Sequence, residues 1–90
     1  MQEQTYRVEF SESAVKSLRR FPRDDQRRIL AQIERLAANP QEMPGVKRLV
    51  EYDVTYRLRV GDYRVLCDRD DVIRVIDVVD VLQRGRAYRR

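Results

Sequence analysis

The stretch from Thr55 to Cys67 leaves this chain the least freedom in how it can fold. Apolar and polar residues alternate on both sides of Gly61-Asp62, the period-two pattern of strands with one buried face. A glycine-first pair between two such runs predicts a two-residue hairpin turn of type I′ or II′. A loop of that length also sets the register. Val60 falls opposite Tyr63, Leu58 opposite Val65 and Tyr56 opposite Cys67, which makes one apolar face. The reverse face brings Arg59 against Arg64, with Arg57 two residues along the same strand. Like charges directly opposite each other destabilise a sheet. Three arginines on one face therefore point to a use, the floor of an anion site, with RNA phosphate as the first candidate.

The flanking sequence supplies what such a hairpin needs to pack against. Tyr6-Arg7-Val8-Glu9-Phe10 alternates and predicts a first strand that shows Tyr6, Val8 and Phe10 to the core. Ser11 follows as a helix N-cap, with Glu12 placed for the positive end of the helix dipole. Ala14, Val15, Leu18 and Phe21 lie at helical spacing, so a short helix is expected over residues 12–20, ended by Pro22. Asp24 and Asp25 then occupy the first turn of a second helix that runs to about Ala38. Its apolar stripe is Ile29, Ile33, Leu36 and Ala37, and Asn39-Pro40 stops it. Residues 41–45 read as a loop and residues 46–50 as a short strand. After the hairpin, a turn is expected near Arg69-Asp70-Asp71. The run from Val72 to Leu82 is almost continuously apolar, which predicts a strand buried on both faces. Asp77 and Asp80 interrupt that run and are expected to be paired with neighbouring arginines, because an unpaired buried carboxylate is costly.

The resulting fold class is α+β. An N-terminal strand and a two-helix hairpin pack on a mainly antiparallel, strongly twisted sheet of four to five strands. The other face of the sheet stays partly free, and Arg57, Arg59 and Arg64 belong there. Ninety residues make a single domain, spanning 1–90.

Composition narrows the partners. Net charge is +4 with a pI near 9.6, which favours polyanions. The lone cysteine, Cys67, excludes an internal disulfide and fits a reducing cytoplasm. It falls in the core-facing set with Tyr56 and Tyr63 and is expected to be inert. With no histidine and one cysteine, no metal site is expected, and no cofactor is implied. Nothing at the N-terminus resembles a signal peptide, and no apolar run approaches the length of a membrane span. Arg19, Arg20, Arg23, Arg27 and Arg28 form a basic helical patch, either a solvated face or a contact for RNA phosphates.

Taken together these residues resemble the RelE/ParE superfamily of bacterial and archaeal toxins, and the RelE branch more than the ParE branch. The likeness covers essentially the whole length. It rests on Ser11-x-x-Ala14-x-Lys16-x-Leu18, on the hairpin Tyr56-Arg57-Leu58-Arg59-Val60-Gly61-Asp62-Tyr63-Arg64-Val65, and on the closing Gln83-Arg84-Gly85-Arg86-Ala87-Tyr88-Arg89. The resemblance implies a ribosome-dependent endoribonuclease that cleaves messenger RNA in the A site without a metal. It also implies a cognate RelB-like antitoxin with an acidic or amphipathic segment, joined to the toxin in a hetero-oligomer. In the family, catalytic cations match Arg57, Arg59, Arg64 and Arg84, and a tyrosine matches Tyr88. Arg57, with Lys47 and Arg86, is assigned to holding RNA phosphate. Two alternatives stand beside this reading: a ParE-like inhibitor of DNA gyrase, and a catalytically weakened toxin that still binds its antitoxin.

The chemistry suits these residue types. RNA carries its own nucleophile, the 2′-hydroxyl, so fixed cations aimed at developing charge can do much of the catalysis. The planar fork of arginine can bond two phosphate oxygens at once. Arg57 and Arg64 are expected to clamp the phosphate and Arg84 to sit near the leaving group. Tyr88 either stacks on a base or holds the 2′-hydroxyl. Relatives often have lysine where this chain has Arg59 and histidine where it has Gln83. Arginine keeps its proton to above about pH 12. Arg59 is therefore expected to act by charge alone, with water or an RNA or ribosomal group taking the proton.

Overall fold

The computed structural model describes residues 5–50 and 54–83. Strand β1 (Arg7–Phe10) runs directly into helix α1 (Glu12–Arg19) through Ser11. The Ser11 hydroxyl accepts the Ala14 N–H at 3.0 Å and donates to the Val79 carbonyl. One residue thus caps the helix and ties it to the last strand. Arg20 and Phe21 turn their N–H groups back to the Ser17 and Leu18 carbonyls, both at 3.1 Å. This tightened turn ends α1, and Pro22 serves instead as the N-cap position of α2 (Arg23–Ala38). Proline is tolerated there because an N–H at the start of a helix has no intrahelical partner. Asn39, extended at φ −157°, closes α2 as a residue before proline must.

The remaining strands are β2 (Val46–Arg48), β3 (Tyr56–Val60), β4 (Tyr63–Asp70) and β5 (Val75–Gln83). They form one five-stranded sheet in the order β1-β5-β4-β3-β2, antiparallel throughout except for the parallel β1–β5 pair. The fold is the expected α+β arrangement. The β3–β4 hairpin has the expected register: Val60 opposite Tyr63, Arg59 opposite Arg64, Leu58 opposite Val65 and Tyr56 opposite Cys67. At the turn Gly61 has φ +58°, whereas Asp62 does not have positive φ. That combination belongs to type II′ rather than I′.

One face of the sheet takes the helices. Ile29 and Ile33 of α2 meet Leu58, Val65, Ile76, Val78 and Val81 in a fully buried core. Burying an aliphatic side chain of this kind stabilises by about 1.5–3 kcal/mol before entropy is counted.

The last strand departs from expectation in two ways. It begins at Val75, not Val72, and Val72 and Ile73 stand 90% and 65% exposed in the turn before it. The Asp70 carboxylate takes the N–H groups of Val72 and Ile73 at 2.9 and 3.2 Å. This local Asx-type bonding overrides the strand preference of two β-branched residues. Nor is the missing alternation a sign of two equally buried faces, since Asp77 is exposed. Its cause is a β-bulge. Leu66 pairs with Asp80 but Cys67 with Val78, so Val79 is an extra residue. The extra residue resets the phase, so that Ile76 and Val78 before it and Val81 after it all join the core.

Among the described residues, no helix is long and apolar enough to cross a membrane.

Candidate functional site

Alternation along β3 and β4 sends Arg57, Arg59 and Arg64 to the face opposite Leu58, Val60 and Val65, away from the helices. Strand β2 adds a fourth cation to that face, because Lys47 pairs directly with Arg57. Lys47–Arg57 and Arg59–Arg64 are thus two like-charged cross-strand pairs side by side. Like charges set directly opposite each other on a sheet are destabilising. A bound polyanion would turn this repulsion into attraction. Lys47 and Arg59 are exposed, and Arg57 and Arg64 are half-buried. The Arg64 guanidinium curls over its own turn, donating from Nη1 to the Tyr63 carbonyl at 3.2 Å and, more weakly, to the Gly61 carbonyl at 3.5 Å. The expected Arg84, Arg86 and Tyr88 lie outside the described residues.

The same face changes sign along its length. Register aligns Glu9, Asp77 and Asp68 across β1, β5 and β4. Asp68 is engaged by the Thr55 N–H and hydroxyl, both at 2.8 Å. Arg7 offsets Glu9 at 3.0 Å, so Asp68 and Asp77 carry the acidic end, and the cationic hairpin end is the one suited to an anion.

That turn is anchored from the helical side. The Tyr63 hydroxyl donates to Asp25 Oδ2 at 2.7 Å, and Asp25 Oδ1 lies 3.5 Å from Arg28 Nη2. The Phe21 and Tyr63 rings meet at 4.6 Å between centroids. A Cβ added at Gly61 would lie only 3.1 Å from Arg28 Nη2, so that guanidinium rests against the turn itself. The hydrogen bond to Asp25, and then burial, raise the Tyr63 pKa, which keeps the hydroxyl a donor. Sequence reasoning placed Tyr63 in the core and Asp25 at a helix start, but not the bond between them. Its one local signal was the i,i+3 spacing of Asp25 and Arg28.

Asp80 corrects another expectation. Rather than pairing with an arginine, its Oδ1 accepts the Ser17 hydroxyl at 2.7 Å and the Val81 N–H at 2.8 Å. Two neutral donors are enough because the bulge leaves Asp80 at the sheet margin beside α1, half-buried rather than enclosed. Asp77 needs no partner because it is exposed. At the far end of β4, Asp71 accepts from Tyr6 Oη and Arg69 Nε at 2.9 Å each, and Arg69 also covers the Tyr56 ring at 4.6 Å. Cys67 is buried, and burial pushes its thiol pKa up to about 12. It is not a nucleophile.

Comparison with known proteins agrees with this fold. Residues 8–88 match the family described as ParE toxin of type II toxin-antitoxin system, parDE. The structure is similar to the archaeal RelE–RelB complex from Pyrococcus horikoshii OT3. There the TM-score is 0.78 and the identity 33%, covering 92% of this chain and 99% of that one. It is also similar to the toxin–antitoxin complex RelBE2 from Mycobacterium tuberculosis, with TM-score 0.74, 25% identity, and coverage of 89% and 99%. The isolated RelE toxin of E. coli shares the fold at TM-score 0.74 and 19% identity, with coverage of 91% and 87%. No curated protein matches the chain in sequence.

Proposed function

Because the chain belongs to the ParE toxin family, within the RelE/ParE superfamily, we propose that it is the toxin of a RelBE-type toxin–antitoxin pair and acts by cleaving messenger RNA on the ribosome. The observation that carries this reading is the Arg59–Arg64 pair, with Arg57 and Lys47 beside it on the sheet face the helices leave uncovered. Binding to a gyrase surface gives no reason for cations to face each other across a hairpin, whereas a phosphate does.

In the reaction, the 2′-oxygen attacks the adjacent phosphorus and the P–O5′ bond breaks, giving a 2′,3′-cyclic phosphate and a 5′-hydroxyl. Arg57 and Arg64 hold the non-bridging oxygens, and Lys47 and Arg86 hold flanking phosphates. Arg59 stabilises the charge that develops on the 2′-oxygen and the phosphate. Its guanidinium does not take the proton, which passes to water, to the RNA or to a ribosomal group. Arg84 is assigned to stabilise charge on the leaving 5′-oxygen, which takes its proton from water, and Tyr88 to stack on a base or hold the 2′-hydroxyl. The partner is a RelB-like antitoxin, as in the archaeal and mycobacterial complexes.

The test is primer extension on messenger RNA from programmed ribosomes incubated with purified toxin. Wild-type protein should cleave within the A-site codon, and Arg64→Ala should reduce the rate by about 10²–10³, as loss of one charge-stabilising donor does. Intact messenger RNA with inhibited gyrase would support the second reading instead. That reading has one observation in its favour, the match of residues 8–88 to the ParE toxin family.

A further inference from the structure

The carbonyls that seat Arg64 belong to the hairpin turn, so whatever holds the turn also aims that guanidinium. Arg64 Nη1 donates to the Tyr63 carbonyl at 3.2 Å and to the Gly61 carbonyl at 3.5 Å, while Nε and Nη2 bond no described residue. One edge of the planar fork is thus committed to the backbone. The other edge, Nε with Nη2, is left to grip two oxygens of a phosphate. A long, flexible side chain loses rotamer freedom when it binds, and docking on the turn removes part of that cost before RNA arrives.

The sheet alone leaves this turn weakly held. Strand β2 pairs no further than Val46 with Leu58, beyond which the Arg59 N–H reaches the Gly45 carbonyl at 3.0 Å. On the opposite flank β5 ends its pairing at Gln83 with Tyr63. Val60, Gly61 and Asp62 therefore project with no third strand beside them among the described residues, and a bare hairpin is only marginally stable in water. Asp25 supplies support from α2. Its Oδ2 accepts the Tyr63 hydroxyl at 2.7 Å, and its Oδ1 lies 3.5 Å from Arg28 Nη2, which rests against Gly61. One half-buried carboxylate thus braces both of the residues whose carbonyls carry Arg64.

We propose that Asp25 is a positioning residue of the arginine face: through Tyr63 and Arg28 it sets the turn that points the Nε–Nη2 edge of Arg64 at the bound phosphate. This role rests on the nuclease reading above and adds to it a residue that acts without touching RNA. A carboxylate among the site cations would repel phosphate. Behind the turn, on the helical side of the sheet, it orders a cation without facing the anion. Misplacing a reacting group by about 1 Å can cost about 10²-fold in rate. Arg64 keeps its strand position when the clamp is lost, so the expected loss is smaller, about tenfold.

The experiment uses the full-length chain and reads guanidinium motion beside rate. Nitrogen NMR of isotopically labelled protein follows rotation about the Arg64 Cζ–N bonds, which docking on the turn slows. Wild-type protein should show restricted rotation, and Tyr63→Phe and Asp25→Ala should each restore fast averaging. Single-turnover cleavage of messenger RNA on programmed ribosomes gives the rate. Both variants should lower it about tenfold at an unchanged half-saturating toxin concentration, since Lys47, Arg57 and Arg59 still hold the strand. Asp25→Asn still accepts the Tyr63 hydroxyl and should recover most of the loss. In an Arg64→Ala background Tyr63→Phe should slow cleavage no further, because the clamp acts through that guanidinium. Ile76→Val, a buried change far along β5 from the turn, should lower the urea midpoint and leave both readouts unchanged. Equal rotation in wild type and Tyr63→Phe, or a further loss in the Arg64→Ala background, overturns the proposal. Release of the guanidinium by Tyr63→Phe in a chain that cleaves no messenger RNA keeps the clamp on an anion site and removes the nuclease. Cleavage with a guanidinium indifferent to the clamp does the reverse.

Discussion

Replacing Tyr63 by phenylalanine isolates the bond that holds the arginine hairpin to α2. The substitution removes the hydroxyl that donates to Asp25 Oδ2 at 2.7 Å and leaves the ring against Phe21. A hydrogen bond to a charged group contributes about 1.5–3 kcal/mol. Asp25 is 29% exposed and keeps Arg28 at 3.5 Å, so water and that cation recover part of the loss. The expected cost is therefore at the low end, about 1.5 kcal/mol, or roughly 6–12 °C in Tm for a domain of this size. Urea unfolding should show a lower midpoint at unchanged m-value. A cycle with Asp25→Ala should return a coupling of about 1 kcal/mol or more. The pH dependence adds an independent check. The folded-state pKa of Tyr63 is raised above its ordinary 10.0, by the Asp25 hydrogen bond first and burial second. Its contribution is thus whole below about pH 10 and is lost as pH rises through the folded value. Wild-type protein should lose stability more steeply above pH 10 than Tyr63→Phe does. A loss below about 0.5 kcal/mol with no coupling to Asp25 would refute the clamp. The ring contact with Phe21 would then be what holds the turn.

Two further substitutions and probes follow from the same geometry. Gly61→Ala should lower stability by about 1 kcal/mol, because Gly61 sits at φ +58° and the new methyl group would crowd Arg28. Gly61→Asn should cost less for its backbone conformation, and equal urea midpoints for glycine and alanine would contradict the type II′ turn. Cys67, 2% exposed with its pKa pushed up to about 12, should resist iodoacetamide in the native protein and react at once in urea. Rapid native alkylation, followed by mass spectrometry, would show that the β4 core opens.

Much of the candidate site was legible because it depends on near neighbours. Two-residue loops set hairpin register, and register alone places Arg59 against Arg64 and Leu58 against Val65. The same holds for Ser11 as a cap and for Asn39-Pro40 as a stop. Misreadings arose where one local signal hid another. Val72 and Ile73 carry a strand preference, but Asp70, two and three residues earlier, takes their N–H groups and makes them turn. The broken alternation of β5 looked like two-sided burial, but it records a bulge at Val79, which only pairing with β4 defines.

What the chain decided by itself was periodicity, turn chemistry and the charge of each face, since these act over two to four residues. The folded structure alone decided which distant groups meet. Tyr63 and Asp25 are 38 positions apart, and Ser17 and Asp80 are 63 apart. The physical reason is direction. Spacing says which face of a helix or strand a side chain occupies, but where two faces touch depends on how helices and sheet pack around one core. That packing aims Asp25 at the hairpin turn and sets Ser17 against Asp80.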